Sequence, residues 1–219
     1  TAVGTLALTA NSSGTDNTAV GYAALDANST GADNTAIGDN ALGANTTADN
    51  NTAVGSGALL LNTTGTGNVS IGAYALDANT TTSFNTAVGY NALTANTASN
   101  NTGVGYKALE ATTTGTQNIA VGGEALQDNT TGGSNIAIGY GALANATTVS
   151  NNVAIGTSSM DAAVAGANNV AVGSLTLSAS TTGASNVAVG ASALNANTTA
   201  SNNTAVGASA LAANTTGAD

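Results

Sequence analysis

Apolar and polar residues follow one another in a short unit that returns every 17 residues along the whole chain. The clearest mark is a glycine that follows Val or Ile. It stands at Gly4, Gly21, Gly38, Gly55, Gly72, Gly89, Gly105, Gly122, Gly139, Gly156, Gly173, Gly190 and Gly207. Every interval is 17 residues except Gly89 to Gly105, which is 16 and places a single deletion in the loop Thr94–Asn100. The consensus unit reads N-[TV]-A-[VI]-G-x-x-A-L-x-A-N-T-T-G-x-x, numbered here from position 1 at the Asn to position 17. Position 4 is always Val or Ile, position 9 is Leu except at Met160, and position 3 is Ala except at Ser70 and Gly103.

The unit predicts a coil with one short strand. Thr, Val and Ile at positions 2 and 4 favour strand, and alternation puts positions 2 and 4 on one face and 3 and 5 on the other. Gly at position 5 permits a turn with positive φ, and Asn-Thr-Thr-Gly at 12 to 15 supplies a second corner. A helix is excluded, because Gly, Asn and Thr recur and no long 3.6-residue stripe exists. Stacked coils align identical positions about 4.8 Å apart, so thirteen of them predict a rod of roughly 60 Å. The expected fold is all-β: a single-stranded parallel β-solenoid, or β-roll, of thirteen coils. One continuous array spans residues 1–219, with no separate caps.

Within that coil, the larger apolar residues are expected inside. Val or Ile at position 4 and Leu at position 9 would form two internal ladders. The Asn at position 1 would form an amide ladder, each side chain bonding to the next, which satisfies a polar group that is costly to bury unpaired. Its members are Asn17, Asn34, Asn51, Asn68, Asn85, Asn101, Asn118, Asn135, Asn152, Asn169, Asn186 and Asn203. The core is thin, with one Leu, one Val or Ile and a few Ala per coil. The small face, Ala at 3 and Gly at 5, would let another chain approach closely.

Composition narrows the function. Lys107 is the sole basic residue against 11 acidic ones, giving a net charge of −10. No basic patch can neutralise phosphates, so nucleic acid and anionic membrane surfaces are not expected partners. There is no Cys, hence no disulfide or thiol chemistry. No run of about 20 apolar residues predicts a membrane-inserted segment, and no signal peptide is recognisable. With no His, no Cys and Ser residues lacking a base to activate them, catalysis is not expected. Asp33, Asp39, Asp49, Glu110 and Glu124 read as solvated loop charges. Asp26, Asp77 and Asp128 are too far apart to share an ion, so no metal or cofactor is expected.

The segments Asn17-Thr18-Ala19-Val20-Gly21, Asn34-Thr35-Ala36-Ile37-Gly38, Asn152-Val153-Ala154-Ile155-Gly156 and Asn186-Val187-Ala188-Val189-Gly190 resemble the head repeat of trimeric autotransporter adhesins of the YadA type, N-[ST]-V/A-A-[IV]-G-x-x-A. Similar arrays also look like parts of phage tail fibres and other surface fibres. The present unit is longer around its Asn-Thr-Thr-Gly corner. The resemblance implies a left-handed parallel β-roll, three chains side by side, and an extracellular, cell-surface or virion-fibre setting.

Three further columns are candidate sites. Tyr22, Tyr90, Tyr106 and Tyr140 share position 6 and Tyr74 follows one place later, a broken column that could stack on sugars or a partner. Asn28, Asn45, Asn62, Asn79, Asn129, Asn197 and Asn214 lie in N-x-[ST] sequons and are expected at the outer corner, where a glycan could attach. Thr at positions 13 and 14 could order water on a rigid rod. The expected function is a non-enzymatic segment of an extracellular fibre or adhesin. It would self-associate as a homotrimer or filament and could attach to a host surface or glycan. The alternative is an ice-binding solenoid using the Thr columns. The array begins at position 2 and stops at position 17 of full-strength coils, so further repeats or stacked copies are expected beyond both ends.

Overall fold

The computed structural model describes residues 1–163 and 166–217. It is a parallel β-solenoid of 17-residue turns, as the period predicts. Thirteen short strands, from β1 (Ala2–Val3) and β2 (Thr18–Val20) to β13 (Thr204–Val206), occupy positions 2 to 4 of successive coils and follow one another in chain order. The chain divides into two compact units, Thr1–Lys107 and Ala108–Asp219. In the first, Thr18, Ala19 and Val20 face Thr35, Ala36 and Ile37 in register. In the second, Val153, Ala154 and Ile155 face Val170, Ala171 and Val172. Like stacks on like because each coil repeats the same period.

The shortened coil shows how the register survives. In the preceding coil Asn79 Nδ2 donates to the carbonyl of Thr82, three residues on. After the deletion Asn96 Nδ2 donates to that of Ala98, two residues on. The residue is therefore lost from the Thr-Thr corner alone. The strand beyond resumes in register, with Thr86 opposite Thr102 and Val88 opposite Val104.

The strand faces the other way from the expectation. Position 3 is the inward residue: Ala36, Ala53, Ala87, Ala137 and Ala188 are fully buried. Positions 2 and 4 point outward, and Ile37, Ile71 and Ile138 are 38–40% exposed. Position 4 is thus not an internal ladder, and Ala at 3 is not an outward small face. The physical reason is the width of the coil. Leu at position 9 is fully buried in coil after coil, from Leu25 to Leu194. It fills the interior up to the strand, so only a small side chain fits opposite. Two substitutions measure the gap. Ser70, at position 3, reaches across the coil to donate to the carbonyl of Ala75 at 2.7 Å. Ser159, at position 8, reaches the position-3 carbonyl of the next coil, donating to Ala171 at 3.3 Å.

The turn at position 5 is as expected, and its geometry excludes any side chain. Gly190 has φ 130°, and a Cβ there would lie 2.5 Å from the carbonyl carbon and oxygen of Gly207 in the next coil. Positions 7, 9 and 17 also adopt the left-handed region, mostly without glycine, as in Ala23, Leu25 and Asp33 with φ 49–57°; Gly57, Gly141 and Gly67 are the glycines there. Such a conformation is uncommon for leucine. Here it turns the chain inward and is held by inter-coil hydrogen bonds, Leu25 N–H donating to the carbonyl of Ala41 at 3.0 Å and Leu42 N–H to that of Ala58 at 3.0 Å.

Candidate functional surfaces

Two amide ladders, not one, run inside the coils. At position 1 the Asn side chains are buried and, from coil to coil, Oδ1 accepts the backbone N–H of the next Asn, as from Asn34 to Asn17 at 3.0 Å and from Asn169 to Asn152 at 2.9 Å. In several coils Nδ2 also donates to the preceding Oδ1, as from Asn186 to Asn169 at 3.1 Å. The same Nδ2 groups reach the far corner: Asn51 donates to the carbonyl of Gly65 and Asn118 to that of Gly132, both at 2.9 Å. This pins the strand to the Asn-Thr-Thr-Gly corner.

The second ladder lies at position 12 and corrects the glycosylation reading. Asn28, Asn45, Asn62, Asn79, Asn129 and Asn197 are fully buried rather than on the outer corner. Nδ2, the atom a glycan would need, is spent inside. Asn45 donates to Asn28 Oδ1 at 2.8 Å and Asn79 to Asn62 Oδ1 at 2.9 Å. Asn214 is half-buried and donates to the carbonyl of Gly217 at 2.9 Å. The signal in the sequence was present: Asn stands at position 12 in nine of thirteen coils. The ladder fails where it is interrupted. Asn129 Oδ1 is buried without a partner, because the next coil carries Ala146 in place of Asn. Thr112 Oγ1, also at position 12, is buried without a partner.

The Thr corner is largely occupied by bonds between the coils themselves. Position-13 hydroxyls donate to the position-13 carbonyl one coil on, from Thr46 to Thr63 at 3.2 Å, from Thr63 to Thr80 at 3.0 Å and from Thr130 to Thr147 at 2.9 Å. Position 14 remains exposed, as in Thr47, Thr64 and Thr131, and position 13 is exposed at Thr80 and Thr97.

The outward strand face is a regular surface in each unit, and it carries no charge. In Thr1–Lys107 position 2 is mostly Thr (Thr18, Thr35, Thr52, Thr86, Thr102) beside Val or Ile at position 4. In Ala108–Asp219 position 2 is Ile or Val at Ile119, Ile136, Val153, Val170 and Val187, so both columns are apolar there until Thr204. Six strands about 4.8 Å apart and two columns wide cover on the order of 300 Å². Exposed apolar patches of that size are often interaction sites.

The tyrosines are exposed, and three of them meet. Tyr74 and Tyr90 lie edge to face with centroids 6.3 Å apart, and Tyr90 and Tyr106 are nearly parallel at 6.0 Å. Lys107 Nζ lies 5.6 Å from the Tyr106 centroid, a cation–π arrangement. Tyr22 and Tyr140 are exposed in their own coils.

The carboxylates do not converge. Among the described residues no group of three or more His, Cys, Asp or Glu is placed to hold a metal, and there is no pocket. Asp49 accepts the N–H of Ala32 at 2.7 Å, Asp39 the amide of Asn40 at 3.0 Å and Glu110 that of Gln127 at 2.8 Å. Burial raises the carboxyl pKa of Asp77 and of Asp161, partly offset in each by backbone hydrogen bonds. Asp77 Oδ1 is buried with no partner. Among the described residues no helix is long and apolar enough to cross a membrane.

Comparison with protein-family models, curated proteins and solved structures gives no match.

Proposed function

We propose that this chain is a non-enzymatic structural segment of an extracellular fibre or adhesin, and that it assembles with copies of itself through the outward strand face. One observation carries the reading: an uncharged, β-branched surface repeated in register along each unit of a chain whose net charge is −10. Charged side chains are confined to turns and corners, so this face is where like-charged copies can meet. β-branched side chains in register interdigitate well between sheets. The resemblance to adhesin head repeats suggests three copies, a cell-surface or virion-fibre setting, and attachment to a host surface or glycan.

Light scattering tests it. The chain is expected to run as an oligomer at micromolar concentration. The double variant Val172→Lys, Val189→Lys places charge on the outward face without touching the interior, and is expected to fold and run as a monomer. A wild-type monomer would overturn the reading.

A second reading has a specific observation behind it. The Thr column at position 2 of the first unit, with Val or Ile at position 4, forms a regular array of hydroxyls and methyls on a strand face. Such an array suits ice better than the Thr-Thr corner, whose position-13 hydroxyls are engaged. Ice recrystallisation inhibition by a monomeric chain would favour it, and its absence would remove it.

A further inference from the structure

The tyrosine cluster is not explained by the fold. Position 6 closes the coil equally well with Asp39, Ser56, Ala73, Ser174 or Ala191, so neither Tyr90 nor Tyr106 is needed there. Yet in three successive coils of the first unit the rings come together, each 46–49% exposed. Exposing aromatic surface forgoes the stabilisation that burial would bring.

The rings are also held in place. Gly57 lies one coil before Tyr74, and a Cβ there would stand 3.0–3.1 Å from Tyr74 Cδ1 and Cε1. The missing side chain lets that ring lie against the preceding coil. Thr94 Oγ1 donates to the Tyr74 carbonyl at 2.7 Å, fixing the backbone beneath it. Tyr90 lies between Tyr74 and Tyr106, and Lys107 flanks the far ring. A ligand meeting rings already immobilised loses little further freedom on binding.

We propose that Tyr74, Tyr90 and Tyr106 form a binding site for an extended, neutral, β-linked glycan. The ligand class follows from the shape and charge of the site. It is open, in a molecule with no pocket among the described residues, so it suits a chain that makes several weak contacts rather than a small molecule needing enclosure. The rings succeed one another at 6.0–6.3 Å along the stack of coils, Tyr90 and Tyr106 nearly parallel and Tyr74 edge-on, a row of aromatic contacts on the scale of successive sugar rings in a straight chain rather than a coiled one. The C–H-rich faces of such sugars pack on aromatic rings, and their hydroxyls stay in water. The net charge of −10 disfavours acidic polysaccharides. This deepens the attachment part of the proposed function and stands whether or not the chain oligomerises.

The test is saturation-transfer NMR and calorimetry on the whole chain with cellohexaose and fully N-acetylated chitohexaose as probes, and with a hexamer of galacturonic acid as the acidic control. At least one neutral probe is expected to bind, and the acidic one not to. Tyr90→Ala is expected to weaken binding roughly tenfold, the loss of one stacked ring. Since Ala73 and Ala191 occupy the same position in other coils, that variant keeps the fold, which circular dichroism checks. Tyr140→Ala, at position 6 between coils carrying Gly123 and Thr157, is expected to bind as wild type. No binding of either neutral probe overturns the proposal, as does equal loss in the Tyr140 variant. So does a change of oligomeric mass in Tyr90→Ala, which would assign the cluster to contact between copies. Loss of the oligomer in the strand-face variant with glycan binding intact would leave the site standing.

Discussion

The position-12 ladder makes a sharp demand on two chemically identical substitutions. Asn45 lies in an intact stretch. Its Nδ2 donates to Asn28 Oδ1 at 2.8 Å and to the Ala48 carbonyl at 3.1 Å, and its Oδ1 accepts from Asn62 at 3.2 Å. Replacing it by Ala takes the donor from Asn28 Oδ1, which is buried. The Ala48 carbonyl keeps Asn34 Nδ2 at 2.8 Å, and Asn62 keeps the Gly65 carbonyl at 2.9 Å but loses the acceptor of its other N–H. One buried acceptor and one buried N–H are therefore left bare, at about 1–3 kcal/mol each. Asn129 lies at a break. Its Oδ1 is already buried and unpartnered, and the Gly132 carbonyl it serves at 3.0 Å also accepts from Asn118 at 2.9 Å. Asn129→Ala creates no bare group and removes one. The deleted atoms are the same, so the void left behind is comparable and largely cancels in the difference. Asn45→Ala is expected to cost roughly 3 kcal/mol or more beyond Asn129→Ala, from two bare groups made in the one and a bare group removed in the other. Urea denaturation followed by circular dichroism gives both values, and hydrogen exchange at each site ties them to their own unit. Equal losses, or a larger loss for Asn129→Ala, would mean that the amides fill space and that their bonds contribute little.

Three further outcomes follow from the same geometry. Asp77 has its carboxyl pKa raised by burial, so the folded state holds that proton more tightly than the unfolded chain. Its ionisation therefore costs stability above the folded value, and stability is recovered as pH falls from there to the ordinary aspartate range. Asp77→Asn is expected to raise the melting temperature at pH 7 and to flatten this acid-side gain; an unchanged acid profile in the variant would contradict it. Gly190→Ala combines a positive φ with a Cβ 2.5 Å from the next coil's carbonyl and is expected to destabilise by about 3 kcal/mol or more in urea. Ala137→Val, at a fully buried position 3, is expected to cost about 1–3 kcal/mol by overpacking, whereas Val170→Ala on the outward face should cost under about 1 kcal/mol. The reverse ranking would show that the strand faces the other way.

Much of the fold was legible because a strict period leaves little freedom. Glycine at position 5 marks a turn by itself, and Val or Ile before it marks a strand. The amide ladder at position 1 follows from stacking identical residues. What the pattern could not reveal was which face of the strand is inside. Alternation groups positions 2 and 4 but does not orient them, and hydrophobicity favoured the larger Val and Ile as core. The interior is decided by Leu at position 9, which leaves room opposite only for Ala, Ser or Gly. That is a matter of volume across the coil and not of pattern along it. Asn at position 12 was hidden for another reason. Asn-Thr-Thr-Gly is a turn sequence, and turns are usually solvated. Here the corner closes around its Asn, whose amide bonds inward to the corner carbonyl and to the coil before. The meeting of Tyr74 with Tyr90 was also concealed, because the two stand at different positions of the repeat and are joined only by the space over Gly57.

The central claim is that the β-branched strand face is outward in one copy and covered in the assembly. The chain has no Cys, so single cysteines report this directly. Val54→Cys places a thiol on the outward face, and Ala53→Cys places one inside, where Ser70 is already accommodated in an equivalent coil. Thiol labelling is followed over a dilution series. Val54→Cys is expected to react rapidly when dilute and to become protected as concentration rises, while Ala53→Cys stays protected at every concentration at which the chain is folded. A Val54→Cys thiol equally reactive at all concentrations, or an Ala53→Cys thiol that reacts faster, would contradict the account.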